Sequence, residues 1–180
     1  TIVSAIDAKD PSMRGHSQRV TEYALLAGTY FSLTPEEMET LEYASMLHDI
    51  GKIAIDSRIL NKPEPLYPLE WDMMRRHPAI GASLLREIPF LEKAGELVLS
   101  HHERYDGQGY PGGLKGEDIP LGARLIAAAN AYDTMTIDRS YRPALSVERS
   151  IMELKSGSGN QFCPEAVKAL ISGLRLNMHK

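Results

Sequence analysis

The chain has 180 residues, enough for one domain with a sizeable core at roughly 100–200 residues per domain. Hydrophobic residues make up 43% and charged residues 24%, which excludes a disordered, collagen-like or low-complexity chain. Lysine and arginine total 20 against 24 acidic residues, and this net charge of −4 argues against a protein living on nucleic acid or anionic lipid, so a phosphate-bearing ligand has to be caught by a local pocket.

Cys163 is the single cysteine, so no internal disulfide ties the fold to an oxidising compartment and a cytoplasmic setting is expected. No apolar run approaches the ~18–20 residues that a membrane-crossing helix needs, and no membrane contact by this segment is expected. The chain opens at Thr1 without an initiator methionine, in what reads as mid-domain sequence. A single domain over residues 1–180, excised from a longer regulatory protein, is the expectation.

Helical spacing dominates. From His16 to Phe31 the apolar set Val20, Tyr23, Ala24, Ala27, Tyr30 and Phe31 recurs at threes and fours, as one buried helix face requires. Thr34, Pro35 and Glu37 supply an N-cap, a first-turn proline and a capping-box carboxylate for a second helix that runs into His48. Gly51 punctuates it. Three prolines within Asn61 to Pro68 predict a connecting loop or single turns. Pro78 opens a further helix that ends at Pro89, and Leu91 to Glu103 reads as another whose last turn carries His101 and His102. Five glycines and a proline between Asp106 and Gly116 predict a long loop of the functional kind. Pro120 opens a strong helix with Leu121, Leu125, Ala128, Ala129 and Tyr132 inside, and two weaker helices follow, capped near Ser146 and Pro164. With no convincing strand and no internal repeat, the fold class is all-α, a compact multi-helix bundle carrying a glycine-rich loop.

The histidines cluster at helix ends. His48-Asp49 and His101-His102 end two helices, His16 starts one, and His77 precedes the start at Pro78. A lone histidine in such a place is commonly a cap. Two doublets are another matter, because adjacent helical residues diverge by about 100° and rarely serve one packing purpose. They suit a cluster of ions, with Asp49 able to bridge two of them. Imidazole-rich sites with one or two carboxylates fit Fe, Mn, Zn or Ni better than Mg or Ca. Without paired thiols, structural zinc is excluded. Two transition metals held ~3.5–4 Å apart commonly hydrolyse phosphoesters.

The run His48-Asp49-Ile50-Gly51-Lys52, together with His101 to Pro111 (HHERYDGQGYP), closely resembles the HD-GYP family, a branch of the HD metal-dependent phosphohydrolases. Flanking segments agree over Asp10 to Val20, Ile119 to Thr136 and Asp138 to Arg142, so the likeness covers nearly the whole chain. The resemblance implies an all-helical hydrolase of bacterial signal transduction that cleaves cyclic di-GMP to linear pGpG or GMP. It also implies a centre of transition-metal ions, iron first, with manganese, zinc or nickel as alternatives. Carried over by motif, His16, His48, Asp49 and position 130 surround one metal, and Asp49, His77, His101 and His102 the other. Tri-metal members carry a glutamate where this chain has Ser12, so two ions are expected.

The family pattern places an aspartate ligand where this chain has Asn130. An amide oxygen still coordinates, but it is neutral and does not bridge, so that site should be weakened. Either a natural member with lowered activity or a deliberate exchange of Asp for Asn is compatible with this. By the same resemblance Lys52, which also counts as catalytic beside Asp49, meets a substrate phosphate, as do Arg139 and Arg142. Tyr110 of the loop stands on substrate or plugs the loop from beneath. Asp133, grouped with these substrate-side residues, lies one turn on from position 130 and could equally orient a histidine ligand. Glu103 could do the same or simply finish its helix. The rival reading is a degenerate module that binds cyclic di-GMP or protein partners such as GGDEF (diguanylate cyclase) domains. Other phosphoesters, such as a hybrid cyclic dinucleotide, remain open, as does the oligomeric state; DNA is excluded as a partner by the charge balance.

Overall fold

The computed structural model describes residues 15–138 and 143–177, and its regular structure is helical, with one isolated bridge between Ser158 and Phe162. Among the described residues nine α-helices follow in order: α1 (His16–Gly28), α2 (Pro35–Leu47), α3 (Ser57–Leu60), α4 (Pro68–Met74), α5 (His77–Arg86), α6 (Glu92–Ser100), α7 (Leu121–Thr136), α8 (Val147–Ser156) and α9 (Pro164–Asn177). A 3₁₀ turn at Ile50–Ala54 joins the end of α2 to α3. The all-α expectation holds among the described residues.

The core is built from the stripes that the sequence carries. Val20, Ala24 and Ala27 of α1 meet Leu41 and Ala44 of α2, and Leu125, Ile126 and Ala129 of α7 meet Ala166 and Leu170 of α9. Small residues on α1 and α7 allow close approach of the two helices, and Tyr23 and Tyr132 close that seam edge to face at 4.9 Å. A second packing unit, α5 against α6, also receives the 3₁₀ turn. There Gly51 is indispensable. A β-carbon at that position would lie 1.9 Å from the carbonyl oxygen of His77, so only a hydrogen lets the turn after Asp49 seat on the start of α5.

Several expected boundaries shift, each for a local reason. α1 stops at Gly28, short of Phe31, and Thr29 caps it by donating to the carbonyls of Leu25 and Ala27. The periodicity outruns the helix because Phe31 still packs on the core from a turn, whereas Tyr30 is half exposed. The capping box at α2 forms as expected, with Thr34 and Glu37 exchanging hydrogen bonds. Pro68 belongs to a helix, α4, rather than to the preceding loop. This helix buries none of its residues, so it left no apolar stripe to read, and Glu70 secures its start by accepting from the Tyr67 amide and from Lys62. α6 ends at Ser100, so His101, His102 and Glu103 stand beyond the last turn and not within it.

Replacing Gly51 with alanine is expected to cost about 3 kcal/mol or more of unfolding free energy, the upper range for overpacking a site that cannot relax. Urea denaturation measures it, and a cost below about 1 kcal/mol would contradict the packing argument.

Candidate metal centre

The last turn of any α-helix leaves carbonyl groups without amide partners. Three of the histidines take up such carbonyls. Nδ1 of His48 lies 2.8 Å from the carbonyl of Ser45, Nδ1 of His101 lies 2.6 Å from that of Val98, and Nδ1 of His77 lies 2.8 Å from that of Met74, the final residue of α4. A carbonyl oxygen only accepts, so each Nδ1 carries the proton and each Nε2 turns a lone pair inward. His16 is oriented by another route: its Nδ1 donates to Asp133 at 2.6 Å across the α1–α7 seam.

The inward nitrogens converge. His16, His48 and Asp49 form one group of donor atoms, and His77, His101 and His102 another; within each group the donors lie within 4.8 Å of one another. Asp49 stands between them, with Oδ2 3.5 Å from Nε2 of His48 and Oδ1 3.4 Å from Nε2 of His77. Of the first expected ligand set this brings together His16, His48 and Asp49, and of the second His77, His101 and His102, with Asp49 near both; Asn130, expected with the first set, belongs to neither group. Asn130 projects from α7 into the cavity that His101 and His102 also line, and its Oδ1 lies 3.4 Å from the Thr134 hydroxyl.

These donors fit divalent metals. Nε2 of both His16 and His48 is buried without a hydrogen-bond partner among the described residues, a costly arrangement unless a cation takes up the lone pairs. Burial holds four of the histidines neutral: it pushes His48 and His77 down to about 4 and His101 to about 3, outweighing the attraction of Asp49, and holds His102 well below its ordinary value. Burial alone would raise Asp49, but the Lys52 ammonium holds it well below the usual carboxylate range. A neutral set of imidazoles around an ionised carboxylate is the protonation state that a transition metal requires.

Lys52 donates to Oδ2 of Asp49 at 2.7 Å, so its ammonium sits at the centre. Tyr110 stacks on His102 with centroids 4.9 Å apart, and the Arg75 guanidinium lies over the Tyr110 ring at 5.4 Å from its centroid. Burial, with Asp49 nearby, pushes the Tyr110 phenol up to about 12, so it remains a donor at neutral pH. Asp133 is 1% exposed, and its oxygens are taken by His16 and by Arg19, whose Nε donates at 2.6 Å, so it anchors the His16 ring and matches the histidine-orienting alternative. Arg139 and Arg142, as well as Ser12, lie outside the described residues.

Two residues carry more than their sequence suggested. Glu103 neither orients a histidine nor ends a helix; its carboxylate accepts from the amides of Gly112 at 2.6 Å, Gly113 at 3.1 Å and Leu114 at 3.1 Å, gathering the glycine-rich loop. Gly109 permits this, since a β-carbon there would come within 2.3 Å of the Arg104 amide nitrogen. The signal was a carboxylate placed just before a loop rich in unpaired amides. Arg19 is the other, three residues after His16 on the same face of α1.

A helical bundle whose helix ends turn five imidazoles and an aspartate toward adjoining donor groups is the architecture of a histidine–aspartate metal domain. The chain belongs to the HD domain family, whose model matches residues 1–166. Its similarity runs to the HD-GYP type within that family. It is 38% identical over 174 residues to a cyclic di-GMP phosphodiesterase response regulator of Xanthomonas campestris pv. campestris, covering 96% of this chain and 46% of the relative. A cyclic di-GMP phosphodiesterase of Thermotoga maritima is 36% identical (91% of this chain, 45% of the relative), and a 3'3'-cGAMP-specific phosphodiesterase of Vibrio cholerae is 34% identical (94% and 33%). The chain thus spans less than half the length of each of these relatives. Its fold is that of a cyclic GMP-AMP specific phosphodiesterase from V. cholerae, with a TM-score of 0.77 at 22% identity over 97% of this chain and 47% of that one. The HD domain of the phosphodiesterase PgpH from L. monocytogenes, solved with cyclic-di-AMP, matches with a TM-score of 0.66 at 14% identity over 99% and 96%. No helix among the described residues is long and apolar enough to cross a membrane.

Two outcomes check this site. Protons that the unfolded chain binds near pH 6.5 on His48, His77 and His101 are refused by the folded chain until about pH 4 or below. Folded-state values below the unfolded ones mean that stability is intact above pH 6.5 and is lost as the pH falls through that window. Thermal melts of metal-free protein should show Tm dropping between about pH 6.5 and 4; a flat Tm there contradicts the assignment. Separately, Asp133→Asn should weaken metal binding about 10–100-fold in competition with a chromophoric chelator, because His16 loses its charged anchor.

Proposed function

We propose that this chain is the catalytic domain of a metal-dependent phosphodiesterase that hydrolyses cyclic di-GMP to linear pGpG or GMP. The observation that carries this reading is Asp49, one oxygen toward each imidazole group, standing between histidines of which His48, His77 and His101 are anchored on carbonyls. His16, His48, Asp49 and Asn130 would hold one metal, and Asp49, His77, His101 and His102 the second. The donor set favours iron, with manganese, zinc or nickel as chemically acceptable substitutes. When bound, such ions supply Lewis acidity to the phosphoryl oxygens and acidify water.

The chain's own residues do the rest. Lys52 places a cation where it neutralises phosphate charge, and Arg139 with Arg142 supplies guanidinium forks that suit the second phosphate of the ring. Tyr110, stacked on His102, keeps its proton and offers a hydroxyl to the substrate side of the centre. Asp133 and Arg19 keep His16 aligned so that its Nε2 cannot rotate away. Support also comes from the curated relatives, whose names assign them cyclic di-GMP or 3'3'-cGAMP as substrate.

Asn130 favours a second reading, a binding module that retains the dinucleotide uncleaved and signals through partners such as GGDEF domains, with the exposed glycine-rich loop as its contact surface. Single-turnover hydrolysis under anaerobic conditions with Fe(II) or Mn(II) separates the two. Linear product is expected from this chain, faster from Asn130→Asp, with elemental analysis showing higher metal occupancy in the aspartate variant. Product from neither protein overturns the enzyme reading, and intact cyclic di-GMP bound in calorimetry then supports the module.

A further inference from the structure

Beside the metal centre lies a cavity of 360 Å³ that the centre itself does not use up. His101 and His102 line it, and so does Asn130, so the cavity adjoins the place where the scissile phosphate would sit. One side is a stripe of α7: Ala127, Asn130, Ala131 and Thr134 follow one another at threes and fours on one helix face. Their short side chains leave a slot, and buried Phe162 adds an apolar wall. The slot suits a flat heteroaromatic ring.

Glu153 of α8 also lines this cavity. Its helix is fixed: Ser146 caps the start by accepting from the Arg149 amide, and Ser150 and Leu154 are fully buried on either side of Glu153. The side chain is therefore delivered by a rigid element, and both contacts from Arg149, at 3.1 Å, fall on a single oxygen, Oε1. Guanine presents two adjacent N–H donors, N1–H and the 2-amino group, to which a carboxylate can accept in parallel. Adenine presents a lone pair at N1 and would meet the carboxylate with repulsion.

We propose that Glu153 is a specificity-determining residue that selects guanine over adenine in the cavity next to the metal centre. The inference rests on the preceding reading for the phosphate-bearing part of the ligand, and on this cavity alone for the base.

GMP and AMP test it, because neither contains a phosphodiester that the protein could turn over. Calorimetry on metal-loaded protein should show GMP bound about tenfold or more tighter than AMP, the worth of one good bidentate pair. Glu153→Gln should bring the two within about threefold of each other, while Arg149→Ala, which removes only the surface ion pair, should retain the preference. Failure to bind GMP, equal binding of both nucleotides, an unchanged ratio in Glu153→Gln, or loss of the ratio in Arg149→Ala overturns the assignment. Cleavage assays keep the two readings apart. A protein that prefers GMP through Glu153 yet cleaves no cyclic dinucleotide retains this inference and loses the phosphodiesterase; one that cleaves cyclic di-GMP and cyclic di-AMP equally well does the reverse.

Discussion

The centre depends on carbonyl groups that helices cannot satisfy for themselves. At the ends of α2, α4 and α6 the chain places a histidine three residues beyond an orphan carbonyl, and the imidazole Nδ1–H fills the vacancy. One hydrogen bond does two jobs at each end: it closes the helix, and it selects the tautomer that aims Nε2 inward. Three helices from different parts of the chain therefore bring prearranged donors to one place. Placement of the centre follows from where those helices stop, which is why the stop of α6 at Ser100 matters more than its length.

Charge is arranged around these donors to keep them usable. Burial strips protons from His48, His77, His101 and His102, while the Lys52 ammonium keeps Asp49 ionised against its own burial. His16 lies on a helix start, where no orphan carbonyl is available, and the protein substitutes a carboxylate. Burial would raise Asp133, but hydrogen bonds from His16 and Arg19 hold it below its ordinary value. That pair joins α1 to α7 as well, so the same interaction serves the bundle seam and the ligand. Buried charge of this kind stabilises only while every partner stays in place.

Much of this was readable from residues alone. The helical stripes, the Thr34–Glu37 box and the placing of His16, His48, His77 and His101 at helix termini all correspond to the structure, and His16, His48 and Asp49 gather apart from His77, His101 and His102, while Asn130 joins neither group. The periodicities mislead where packing and helicity part company: Phe31 packs without being helical, and α4 is helical without packing. Side-chain roles were less legible. Asp133 and Glu103 are both acidic neighbours of ligand positions, yet one anchors His16 and the other collects loop amides. The choice depends on what lies across the fold, 117 residues away for His16 and Asp133, and no local spacing encodes that.

Glu103 has a mechanical consequence. It follows His102 directly in the chain, and its two oxygens hold three consecutive amides of the loop, while Tyr110 in that loop rests on the His102 ring. Loop and histidine are thus clamped from both sides of one backbone segment. A force applied to the outer surface of the loop is borne by the same few atoms that set the bearing of the imidazole, so the two can shift only together.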